Sequence, residues 1–171
     1  MKAEKVSLCI GFVVIILLAF VIIWKADIIG VAESRLVEDA RESQAIENDW
    51  KVEQAVNEEM CAMLFYDEET RDCTYSIYLS REEELSSGYF FSQGGRDGYM
   101  AESVKAMIVE DRGVAVMSMN VDGVSEIVTE DGTIQVDPAK PFVVLLPIDC
   151  GEIKIYDAKK ELVTLYDTYT G

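Results

Sequence analysis

The spacing of apolar and polar residues divides the chain into three stretches of different period. The first is "VSLCIGFVVIILLAFVIIW", nineteen residues from Val6 to Trp24 with no charge among them. As a helix rising about 1.5 Å per residue, it spans roughly 28 Å, close to the ~30 Å hydrocarbon thickness of a bilayer. It is longer than the apolar core of about 7–15 residues typical of a cleaved signal. Trp24 and Lys25 stand at its distal edge, where an amphipathic ring and a long amine suit the headgroup layer. The stretch is expected to be a retained transmembrane anchor. A small-residue tripeptide that could serve for cleavage, Gly30-Val31-Ala32, lies beyond Lys25 and Asp27, farther from the apolar core than cleavage sites normally stand.

The second stretch, from Ala32 to Met63, contains neither Pro nor Gly and is made mostly of good helix formers. Leu36, Val37, Ala40, Ile46, Trp50, Val56 and Met60 recur at roughly helical spacing. The pattern predicts an amphipathic helical stalk over 25–62, with a break in the stripe between Arg41 and Gln44. Trp50 is the residue of this segment expected to touch a partner, because its indole is large enough to dominate a contact.

From Cys61 onward the period changes to two. In "CTYSIYLS" (73–80), Tyr75, Ile77 and Leu79 point one way while Thr74, Ser76, Tyr78 and Ser80 point the other. "KAMIVED" and "GVAVMSMN" read as two strands joined through Asp111-Arg112-Gly113. "VSEIVTEDGTIQVD" carries Asp131-Gly132, a hairpin signal because glycine takes positive φ without strain. "PFVVLLP" (141–147) is a continuous apolar run bracketed by prolines, which predicts a strand covered on both faces at the centre of the core. "GEIKIYDAKKELVTLYD" reads as a closing hairpin with Ile153, Ile155, Val163 and Leu165 inward. Short strands at this spacing predict a mainly β head over 63–171, a small β-sandwich of immunoglobulin-like or barrel-like form.

Charge sets the expected orientation. Lys2, Lys5 and Lys25 against Glu4 give the first 25 residues a net charge of +2, whereas the remainder carries 12 basic and 31 acidic residues. Basic stubs stay in the cytoplasm, so residues 1–5 are expected inside, 6–24 in the membrane and the acidic C-terminal part outside. The expected partners are the lipid bilayer and another protein or envelope component. Nucleic acid is disfavoured, since its phosphates need Lys and Arg.

Candidate chemistry is sparse. The sequence contains no histidine, which removes Ser-His and Cys-His nucleophile pairs and the usual histidine metal sites. "GGRDG" (94–98) lacks the spacing of phosphate-cradling glycine loops and reads as a flexible turn. Ser103-Val104-Lys105 matches no known Ser/Lys arrangement. Of the four cysteines, Cys9 lies in the apolar run; Cys61 and Cys73 flank a turn-like segment and are candidates for a disulfide, or for buried thiols, as is Cys150. Asp67, Glu69 and Asp72 make an oxygen-rich loop that suits calcium by ligand type or, more plainly, a solvated turn. No cofactor and no resident metal is expected, and the reading is of a non-catalytic surface protein.

One family resemblance bears on the N-terminus. Gly11-Phe12 in "CIGFVVII", after a short charged leader, resembles the processing junction of type IV prepilins, and an apolar helix followed by a β-rich head is similar to pilin architecture. The resemblance implies a filament or secretion subunit with its new N-terminus at Phe12. The glutamate which that family carries five residues into the mature chain is Ile16 here.

Overall fold

The computed structural model describes residues 30–81, 87–96 and 98–170. The anchor expected at 6–24, the stub at 1–5 and Cys9 lie outside the described residues; among those described, no helix is long and apolar enough to cross a membrane.

The described chain is mainly β, as the alternating pattern predicts. A short 3-10 turn (Glu33–Arg35) leads into helix α1 (Leu36–Gln44). Strands β1 (Lys51–Val56), β2 (Met60–Tyr66), β3 (Cys73–Ser80) and β4 (Tyr89–Arg96) then form an antiparallel sheet in sequence order. After the short helix α2 (Gly98–Glu102) come β5 (Val104–Val109), β6 (Gly113–Ser118), β7 (Val124–Thr129), β8 (Gly132–Gln135), β9 (Phe142–Leu146), β10 (Lys154–Asp157) and β11 (Leu165–Thr170). These divide into a second sheet, ordered β11-β5-β6-β9, and a third, ordered β10-β7-β8.

Strand alternation stacks these pieces into four layers. In β2, Met60, Ala62, Leu64 and Tyr66 pack with Met107, Val109, Ala115 and Met117 of the second sheet. The intervening Cys61, Met63 and Phe65 pack instead on Leu36 and Ala40 of α1. In the second sheet, Val104, Ala106, Val114 and Val116 turn away from the first sheet and meet Val124, Ile127 and Ile155 of the third. The order is therefore helix, sheet, sheet, sheet. A period of two delivers alternate residues to two separate cores.

Four expectations change. Of the helical stalk expected over 25–62, the described part, from residue 30 on, is a short helix folded onto the first sheet and followed by strands. The helix stops where the apolar stripe breaks: Ala45 takes the left-handed conformation at φ 53, and its N–H closes the last turn on the Arg41 carbonyl. Helix propensity alone would have carried the helix onward, but residues 51–66 gain more by pairing as a hairpin whose one strand is covered on both faces. The hairpin turn lacks glycine; Asn57 makes it by accepting hydrogen bonds at Oδ1 from the N–H groups of Glu59 (3.0 Å) and Met60 (2.8 Å).

The second change concerns "PFVVLLP". It is a strand with both faces covered, yet it lies at the edge of its sheet, and only Phe142 and Leu146 are buried while Val143, Val144 and Leu145 are half-buried. The described strands buried along their whole length are instead β2 and β6, each inside its sheet. Third, the closing hairpin forms only around its turn, where Tyr156 and Leu162 make an antiparallel bridge and Val163 N–H donates to the Ile155 carbonyl; beyond it β10 pairs antiparallel with β7, and β11 pairs parallel with β5 in a different sheet. Its inward residues hold, with Ile155 buried and Ile153, Val163 and Leu165 packed against the same core. Likewise Gly94–Arg96 of the expected flexible turn belong to β4 rather than to a loop.

The molecule has two ends. At one lie the β1–β2 turn, the β5–β6 turn and the residues after β9, drawn together where Gly113 sits against the Leu146 carbonyl and Met60 Sδ. The other carries the β2–β3 turn and the end of α1. A buried hub, Asn120, ties the loops there: its Nδ2 donates to the carbonyls of Val124 (3.2 Å), Asp137 (3.0 Å) and Lys140 (3.0 Å), and its Oδ1 accepts from Val124 N–H at 2.6 Å. The main chain meets the body at the first end. Gly30 N–H donates to Ser87 (2.9 Å), Val31 and Tyr89 exchange hydrogen bonds at 2.7 and 2.9 Å, and a Cβ on Gly30 would lie 2.8 Å from the Tyr89 carbonyl oxygen.

Candidate functional site

Two concavities stand at opposite ends. The larger, of about 610 Å³, is lined by Asn57 and Glu59 of the β1–β2 turn, Asp111 and Arg112 of the β5–β6 turn, and Leu145, Pro147, Ile148 and Asp149 around the end of β9. Arg112 spans it, with Nη1 2.6 Å from Glu59 and Nε 3.6 Å from Asp111. The hydrogen bond to Glu59 raises the guanidinium pKa still further, so this group is a fixed cation. Ile148 is 46% exposed on the rim. Tyr89 Oη donates to the Asn57 carbonyl at 2.8 Å, joining the rim to the strand against which Gly30 and Val31 are laid.

The smaller pocket, of about 160 Å³, is lined by Gln44, Ala45, Ile46, Glu47, Trp50, Thr74, Gly95 and Arg96. Arg41 shapes it. Its guanidinium lies 5.1 Å from the centre of the Phe65 ring and donates to the carbonyls of Glu47 and, at 2.7 Å, Trp50. These bonds fold the segment after α1 back on itself and fix the backbone beside the indole. Gln44 reaches across to Ser76 Oγ and accepts from Thr74 Oγ1 at 3.5 Å. Gly94 gives that amide room, since a Cβ there would stand 2.7 Å from Gln44 Nε2. Trp50 itself is half-buried and packs on the core beneath α1, so the residue singled out for partner contact is first a wall of this pocket.

The disulfide candidates are corrected. Cys61 and Cys73 are free, buried thiols. Cys61 is opposite Tyr78 and Cys73 opposite Tyr66, five ladder positions apart, which at about 3.3 Å per residue is roughly 16 Å. A disulfide requires Cα atoms within about 7 Å. Their side chains also enter different cores, Cys61 facing α1 and Cys73 facing the second sheet. Burial, reinforced by the charge of Glu33, pushes the Cys61 thiol up to about 12. Cys150 is a third free, buried thiol.

The acidic loop is an ordered turn. Asp67 accepts from Glu69 N–H at 2.8 Å and from Thr70 Oγ1 at 2.9 Å, while Thr70 Oγ1 accepts from Asp72 N–H at 3.3 Å. The backbone bond from Glu69 holds the Asp67 carboxyl below its usual range. Among the described residues no group of three or more Asp, Glu, Cys or His is placed to hold a metal. Elsewhere, Tyr78 Oη donates to Asp39 Oδ2 at 2.6 Å, fastening α1 to β3, and burial raises the Tyr78 hydroxyl.

Asn57, Arg112 and Arg41 were not singled out by sequence. Asn57 precedes two glutamates without a glycine, and the two arginines act through residues distant in the chain. Asn120 carried a local signal in "NVDG", whose Asn120 and Gly123 both take positive φ. No protein-family model matches the chain, and no curated protein or solved structure matches it with significance.

Proposed function

We propose that this is a non-catalytic, single-pass membrane protein whose acidic stacked-sheet head, of the β-sandwich class, lies outside the cytoplasm and makes protein or envelope contacts. The observation that carries the reading is positional: the chain coming from the apolar run joins the head at one end, and the Trp50 pocket opens at the other. A partner approaching from the far side of a membrane would meet that pocket first. Retention of the N-terminal segment is supported by the use the fold makes of Gly30 and Val31, since cleavage after Ala32 would strip both from their hydrogen bonds to Ser87 and Tyr89. The absence of histidine and the engagement of Glu59, Asp67 and Asp39 in ion pairs or hydrogen bonds favour a contact role over acid–base chemistry.

The test is protease added to intact cells or spheroplasts, followed by immunodetection of tags at each terminus. The expected result is loss of the head with a membrane-bound N-terminal stub remaining. Full protection of the head would overturn the orientation, and release of an intact head starting beyond residue 24 would overturn the retained anchor.

A further inference from the structure

Resting on that anchor reading, we infer that the groove between Asn57 and Asp149 docks on the bilayer surface and takes zwitterionic phospholipid headgroups. From Trp24 to Gly30 there are six residue steps, at most about 22 Å of chain even when fully extended. Gly30 and Val31 are stitched to Ser87 and Tyr89, and Tyr89 is bonded through its hydroxyl to Asn57 on the groove rim. The short α1 lies folded on the first sheet, so it cannot serve as a spacer between membrane and head. The groove end is thus held within reach of the headgroups, while the Asp67 turn stands a further strand length away, about 23 Å for seven residues.

The chemistry of the groove selects among lipid surfaces. Glu59, Asp111 and Asp149 present carboxylates that suit an ammonium group. The contacts to Glu59 and Asp111 occupy part of the five-donor fork of Arg112, leaving further N–H groups for a phosphate oxygen. Ile148, exposed beside Pro147 and Leu145, offers an apolar point to the boundary beneath the headgroups. A phosphoethanolamine or phosphocholine headgroup carries both charges this arrangement meets. An anionic headgroup such as phosphatidylglycerol supplies no cation for the three carboxylates, and its negative surface potential repels them.

The experiment uses the full chain in nanodiscs of phosphatidylcholine doped with a headgroup spin-labelled analogue, read by attenuation of backbone amide signals. Attenuation at Asn57, Asp111 and Ile148 is expected to exceed that at Thr70 and Asp122 by about threefold or more, because dipolar relaxation by the spin label falls very steeply with distance and the far turns stand about a strand length farther away. Replacing most of the lipid with phosphatidylglycerol should reduce it. A flexible Gly/Ser insertion of about twelve residues after Asp27 lengthens the tether without touching the head. Attenuation that survives the insertion supports docking by the groove; attenuation lost with it, equal in both lipids, or greater at Thr70 overturns the proposal while leaving the anchor intact. A chain that fails to cofractionate with the nanodiscs overturns the anchor reading and this proposal together.

Discussion

Strands β2 and β9 read alike in the sequence, as "MCAMLFY" and "FVVLL", and differ in the molecule. Every residue of β2 is buried, because it has strands on both sides and layers on both faces. β9 has layers on both faces but a strand on one side only, and its three central residues stay half-exposed. An unbroken apolar run therefore reports that two faces are covered. It does not report whether the strand lies inside its sheet or at the edge, since neighbours in a sheet are chosen by residues far away in the chain. The prolines bracketing β9 do point to an edge: Pro141 and Pro147 cannot donate to a ladder, and such residues gather where no ladder is needed.

The sharpest way to break the comparison is to place a carboxylate in each strand. Leu64→Asp puts a charge between the first and second sheets where the side chain has no exposure. The loss should be several kcal/mol, enough to consume most of a typical domain's stability of about 5–15 kcal/mol, and soluble folded protein should not be recovered. Val144→Asp at the sheet edge is half-buried and has solvent within reach, so its loss should be smaller, about 1–3 kcal/mol, with a cooperative melt retained at lower temperature. Denaturation monitored by circular dichroism checks both. If Val144→Asp is the more damaging, the edge position of β9 is wrong.

Cys61 sharpens the same contrast from inside β2. Its thiol is raised by burial to about 12, above the ordinary value of 9.0 it has in an unfolded chain. The neutral thiol is thus favoured by the fold. That contribution is fully present below pH ~9 and is lost as pH rises from there through the folded value. The native protein should resist alkylation by iodoacetamide at Cys61 at pH 8, and react there once unfolded in guanidinium. Rapid reaction in the native state would mean that α1 does not cover β2 as described.

How much of this was legible beforehand follows from the kind of signal involved. The alternation in β3, the β5–β6 pair and the Asp131-Gly132 hairpin depend on neighbours in sequence, and each strand lies where its pattern placed it. The hairpin of β1 and β2 was hidden because Met, Ala and Leu are strong helix formers, and its turn relies on the Asn57 side chain in place of glycine. The separation of β10 from β11 was hidden for another reason: the parallel pairing of β11 with β5 joins segments some sixty residues apart, about which local pattern is silent. Of the site, Trp50 was visible as a large apolar residue in an acidic segment. Arg41 and Arg112 were not, since what distinguishes them from other surface arginines is what the fold brings beside them.

The smallest expected effects concern how the two runs end. Lys159→Asp, in the exposed turn after β10, serves as a baseline and should shift stability by no more than about 0.5 kcal/mol in either direction. The run of β9 stops at Pro147, which carries no charge and has no titration. That of β2 stops at Asp67, whose carboxylate accepts from Glu69 N–H and Thr70 Oγ1 and is held below its usual range by the first of these. A carboxyl depressed by folding contributes stability above its unfolded pKa of about 4 and loses it as pH falls through the folded value. Asp67→Asn keeps an acceptor for Glu69 N–H but removes the charge, so the variant should melt slightly below the parent at pH 6. The gap should close as both are taken toward pH 2, where the parent's carboxyl is protonated. Melting temperatures of the pair across that range check the assignment. A gap that stays constant with pH would show that the turn depends on the shape of the side chain and not on its charge, and the end of β2 would then be held as passively as that of β9.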